Sequence, residues 1–75
     1  MAETVYTTSR AFSTIHGERV VSVDAGSGQV VVECEHGPGN WITMKTYSAD
    51  AVELVNFGFG RSYRFTVSGG ATYAI

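Results

Sequence analysis

At 75 residues the chain makes one domain, and a domain of this size buries only about 60% of the surface its unfolded chain exposes, so its stability sits near zero without reinforcement. Five Lys and Arg against seven Asp and Glu give a net charge of -2, which supplies no electrostatic footprint for a phosphate backbone and argues against a nucleic-acid partner. A single cysteine excludes an internal disulfide, and charged residues make up only 16% of the chain, so its surface presents neutral area to partners.

The start, Met1-Ala2-Glu3-Thr4, has neither a basic n-region nor an apolar h-region, and no apolar run reaches membrane-spanning length. Synthesis in the cytoplasm and no membrane partner are therefore expected. From Glu3 to His16 the apolar residues Val5, Tyr6, Ala11, Phe12 and Ile15 fall on both parities among Thr and Ser, so no single face is buried. Residues 1–16 read as a β-arm that docks on another subunit, as an edge strand with a register-flipping bulge, or as the first hairpin of the same domain. Residues 17–75 read as the sandwich domain.

From residue 19 to 68 the chain alternates apolar and polar with a turn cluster at each break. Arg19 to Asp24 sets Val21 and Val23 inward, with Val20 as a misfit. Gln29 to Glu35 places Val30, Val32 and Cys34 on one face and Glu33 and Glu35 on the other, with Val31 the exception. Trp41 to Thr46 sets Ile42 and Met44 against Thr43 and Lys45. Ala51 to Asn56 sets Val52 and Leu54 opposite Glu53, and Arg61 to Ser68 makes Tyr63, Phe65 and Val67 the apolar face. His16-Gly17, Ala25 to Gly28, His36 to Asn40, Ser48 to Asp50, Gly58 to Gly60 and Ser68 to Gly70 are turn clusters at roughly the 8–12 residue spacing of a sandwich or barrel. Ser48 to Leu54 is too short for a stable helix. The expected fold is all-β, a small antiparallel β-sandwich or barrel of seven to eight short strands.

Residues that would carry chemistry are few. Cys34 and His36, two apart on a strand, would seed a zinc site only with two further ligands, and His16 is the sole additional imidazole. Cys34 is read as a core residue, and both histidines as solvent-edge turn residues. Glu33 and Glu35, with Asp24 across the turn, are read as a solvated face that discourages edge pairing. No nucleophile, base and acid converge, so no enzyme activity, cofactor or metal is expected.

Asn56-Phe57-Gly58-Phe59-Gly60, followed by Arg61, Tyr63, Arg64 and Phe65, resembles the base-stacking strand of cold-shock domains over about ten residues. It departs from that family in lying near the end of the chain, and Tyr63 and Phe65 share the parity of Val67, which assigns them to the core. A longer resemblance starts at Gly28 to Glu35. It runs through His36-Gly37-Pro38-Gly39-Asn40 to Trp41 to Tyr47, then through Ala51 to Asn56 and Gly58 to Gly60 into Arg61 to Gly70. Over residues 28–75 the chain is similar to the small β-sandwich modules of tailed-bacteriophage virions, found in head decoration, head fibre and tail-associated proteins. It differs in having Gly37-Pro38-Gly39 where Asp-Gly is common. The resemblance implies a virion protein, a decoration, cement or fibre-base module whose partners are the major capsid protein or other virion subunits.

A specific interface needs about 800 Å² per partner, a large share of so small a domain. Homo-oligomerisation, with a trimer favoured, is the expected state. Expected interface residues are Val5, Tyr6, Phe12 and Ile15 in the first segment and the loop aromatics Trp41, Tyr47, Phe57 and Phe59, since rigid aromatics anchor interfaces at low entropy cost. Alternative readings are a single-stranded nucleic-acid-binding, cold-shock-like barrel, and a carbohydrate or host-surface adhesion module using Trp41 and Tyr47 as a platform.

Overall fold

The computed structural model describes residues 4–75 as an antiparallel sandwich of eight strands. These are β1 (Val5–Tyr6), β2 (Arg10–Phe12), β3 (Gly17–Asp24), β4 (Gln29–Glu35), β5 (Trp41–Tyr47), β6 (Ala51–Phe57), β7 (Tyr63–Ser68) and β8 (Thr72–Ala74). The first sheet has the order β1-β8-β3-β6 and the second β2-β7-β4-β5. Only the β4–β5 connection is a hairpin within one sheet; every other link carries the chain across to the opposite sheet. Arches of this kind place sequence neighbours on facing layers, so the core draws on residues from the whole chain.

The core follows the period of two. Val21, Val23, Val30, Val32, Tyr63 and Phe65 are buried, and Val67 and Cys34 pack against them from the same parities. Phe65 lies at the centre, stacked on Tyr73 at 4.5 Å between ring centroids and edge-on to Phe12 at 5.7 Å. Burial pushes the Tyr73 phenol up to about 12.

Residues 5–12 belong to both layers: β1 pairs with β8 in the first sheet and β2 with β7 in the second. Tyr6 stacks on Tyr73 at 5.2 Å, Phe12 reaches Phe65, and Ile15 is buried. Ser9 ties the crossing segment down by accepting a hydrogen bond from the Val67 amide at 3.0 Å. The mixed parity of this segment therefore reflects a strand that changes sheets, and the Met1 to Glu3 end of the expected arm lies outside the described residues.

Two expectations about strand faces are corrected. In β6 the inward residues are Ala51, Val55 and Phe57, while Val52 and Leu54 point to solvent. Glu53 sits on the inward parity because β6 is a sheet edge, where its carboxylate reaches Lys45 Nζ at 2.7 Å and accepts the Tyr47 hydroxyl at 2.9 Å. In β5 the register against β4 slips between Val32 and Glu33, leaving Met44 without an opposite residue. This bulge reverses parity along the strand, so Tyr47 is buried opposite Val30 and Ile42 falls opposite Cys34 on the inward parity, yet at this sheet edge Ile42 and the bulged Met44 are both exposed.

Candidate functional surface

Among the described residues the exposed large hydrophobic side chains fall mostly on three strands. Val20, Ile42, Met44, Val52 and Leu54 lie on β3, β5 and β6, and only Val5 and Phe59 lie elsewhere. Single exposed apolar residues need no explanation, but Val20, Val52 and Leu54 share the outer face of the first sheet, and such a grouped apolar face on a small domain marks an interaction surface. The β3–β6 register sets Val20 directly opposite Leu54, and Val52 opposite Ser22. Val52 is 76% exposed, although its neighbours Ala51 and Glu53 are half-buried.

This surface continues across the outer face of the first sheet. Ser22 and Ala74, a register pair, form a low floor between Val52 on one side and Val5 on the other, with Asp24, Asp50 and Thr72 at the end. The depression holds about 540 Å³. Its small floor residues come from the paired central strands, so its shape is fixed by the ladder. Asp50 is also held in place, since its carboxylate accepts the Ala25 amide at 3.0 Å.

The outer face of the second sheet has different chemistry. Arg64 donates two parallel hydrogen bonds to Glu33, both at 3.0 Å, and Thr66 donates a third at 2.8 Å. The guanidinium lies 4.5 Å over the Trp41 ring. These bonds, Arg64's first, hold the Glu33 carboxyl below its ordinary range. The clamp contributes stability above the unfolded-state carboxylate value of about 4.3, and that contribution disappears as pH falls through the lower folded value. Glu33→Gln should therefore flatten the acid limb of a melting temperature against pH curve below about pH 4.5 and lower the plateau above it. An unchanged acid limb would show that the clamp carries no linkage.

The expected interface residues separate on inspection. Val5 and Phe59 are exposed, the latter stacked on the exposed His16 ring at 4.4 Å. Ile15, Tyr47 and Phe57 are buried, and Tyr6 and Phe12 pack against the core, so these five hold the fold together. Trp41 is half-buried with the Arg64 guanidinium over one face of its ring, and Tyr47 is buried beside Glu53. Tyr63 and Phe65 are buried, so neither offers a ring to a nucleic-acid base. The Tyr63 hydroxyl instead closes the β6–β7 turn, accepting the Gly58 amide at 2.7 Å and donating to the Gly58 carbonyl at 3.2 Å.

Cys34 is half-buried, and both histidines are exposed. Among the described residues no three His, Cys, Asp or Glu side chains gather as a metal-holding group. Glu35 braces the hairpin, its carboxylate accepting the Gly39 amide at 2.9 Å. Among the described residues no helix is long and apolar enough to cross a membrane. Comparison with known proteins gave no matching family model, no matching curated protein and no matching solved structure.

Proposed function

We propose that this chain is a structural subunit that binds and stabilises its neighbours in a larger assembly, a decoration, cement or fibre-base module of a tailed-bacteriophage virion. The observation that carries the reading is the apolar shoulder of Val20, Val52 and Leu54 on the outer face of the first sheet, on a domain with little core to spare. The resemblance of residues 28–75 to virion sandwich modules supports the particular setting. Its partners are then the major capsid protein or other virion subunits, including further copies of itself, and its destination is the virion after synthesis in the host cytoplasm.

The energetics favour association. An interface of roughly 800 Å² per partner would cover about a sixth of the 4583 Å² accessible surface. Covering the shoulder removes apolar area from water at about 25 cal/mol per Å² before the costs of association. Many identical sites on a lattice then hold by avidity, even where each is weak.

Co-expression of the chain with the products of its neighbouring genes, followed by gradient sedimentation and electron microscopy, tests this. The wild-type chain should migrate with assembled particles. A Val52→Lys/Leu54→Lys double variant, altered only at exposed positions, should remain folded and stay in the light fractions. Particles that form without the wild-type chain attached would overturn the proposal.

A further inference from the structure

The sandwich has four sheet edges, and three of them are blunted. β1 and β2 are only two and three residues long, and β5 carries the Met44 bulge with Lys45 beside it. Short length, bulges and lysines are the devices by which sheet edges avoid adding a strand. The fourth edge, β6, has none of these three, and its inward-parity charge, Glu53, is already engaged by Lys45 and the Tyr47 hydroxyl. It runs seven residues, Ala51-Val52-Glu53-Leu54-Val55-Asn56-Phe57, with no proline, lysine or bulge, and it keeps an unbroken register with β3 from Gly17↔Phe57 to Val23↔Ala51. Among the described residues it pairs on one side only.

We infer that β6 pairs antiparallel with β6 of a second copy, joining the two first sheets into one eight-stranded sheet about a twofold axis. This rests on the assembly reading above and names one contact within it.

The strand is complementary to itself. An antiparallel pair centred on Leu54 engages all seven residues and sets Leu54 opposite Leu54, Val52 opposite Asn56, Glu53 opposite Val55 and Ala51 opposite Phe57. No like charges lie directly opposite one another. A register centred on Glu53 would oppose two carboxylates, which destabilises a pair. Backbone hydrogen bonds supply affinity in strand addition and alternate side chains supply specificity. Here the specifying side chains are Val52 and Leu54, whose exposure no contact within the chain explains. An isologous contact of this type closes at two copies, so the edge favours a pair over the expected trimer.

The test is sedimentation equilibrium of the purified chain over a wide concentration range, combined with hydrogen exchange at both ends of that range. The wild type should show a reversible dimer, with amides of residues 51–57 exchanging more slowly at high concentration. Leu54→Lys places two ammonium groups across the axis and should weaken the dimer at least tenfold. Val20→Lys, on the same face but one strand inward, should leave it dimeric. A dimer lost equally with Val20→Lys, or one whose β6 amides exchange at the same rate at every concentration, would replace strand pairing with docking of the sheet face. A chain that stays monomeric throughout would also overturn the inference. Comigration of that monomeric chain with particles would leave the assembly reading intact.

Discussion

Gly28→Ala should abolish the folded state. A Cβ at this position would lie 1.7 Å from the Ser68 carbonyl oxygen, 2.6 Å from the Ser68 carbonyl carbon and 2.7 Å from Gly69 Cα, and all three are backbone atoms. A flexible side chain could swing aside, but here both partners are fixed. The Gly28 amide donates to the Ala25 carbonyl at 2.8 Å, and the Ala71 amide donates to the Ser68 carbonyl at 3.2 Å. The next residues enter the ladder directly, with Gln29 opposite Ser68. Relief would require separating the β3–β4 and β7–β8 arches, which close one end of the sandwich and between them carry the chain across the sheets. Disruption of that kind belongs to the exceptional class of substitutions costing more than about 4 kcal/mol, whereas a domain of this length has only roughly 4–11 kcal/mol in total. Gly26→Ala is the control. Its Cβ would enter open space, and only the strain of φ +56° remains, about 1–2 kcal/mol. Circular dichroism and thermal melts should show Gly26→Ala folded with a lowered midpoint and Gly28→Ala without a cooperative transition. A Gly28→Ala melt within a few degrees of wild type would show that the two turns do not touch.

That close approach illustrates what the sequence could and could not reveal. The strands of the core are legible because Val30, Val32, Tyr63 and Phe65 alternate with polar residues and face one way, and turn clusters mark each break from β3 to β8. Which strands pair was not legible. A tight glycine turn looks the same whether it folds a strand back beside its predecessor or arches it over to the other sheet, and nearly all of the turns here are arches. Contact between Gly28 and Gly69, 41 positions apart, follows from that topology alone.

The face of β6 departs from its sequence pattern for a related reason. Its sequence carries apolar residues on both parities, and Glu53 tips the assignment toward burying Val52 and Leu54. At a sheet edge a carboxylate can sit on the inward parity and still reach a lysine, as Glu53 does with Lys45. The signal that could have marked the surface is the doubled apolar pattern itself, since a strand that is apolar on both faces has something to cover on each. Likewise, the Glu33–Arg64–Thr66 clamp joins residues more than 30 positions apart that become neighbours only through the β4–β7 register.

Phe65→Ala should couple the fold to its association. The ring is fully buried among Phe12, Phe57 and Tyr73, and removing it forfeits transfer energy and leaves a cavity, together about 3–5 kcal/mol. Set against roughly 4–11 kcal/mol for the whole domain, this leaves the isolated chain close to its unfolding midpoint. A partner that binds only the folded form stabilises it by mass action, about 2.7 kcal/mol when present at a hundredfold excess over its dissociation constant. The variant should therefore be largely unfolded when dilute and regain β-sheet circular dichroism as its own concentration rises. The wild type should show the same dependence as an upward drift of its melting midpoint. Adding Leu54→Lys to Phe65→Ala should remove the recovery, although Leu54 is exposed and contributes little to the isolated fold. A wild-type midpoint that stays constant across concentration would show that this domain stands on its own core, and the exposed shoulder would then contribute nothing to its stability through self-association.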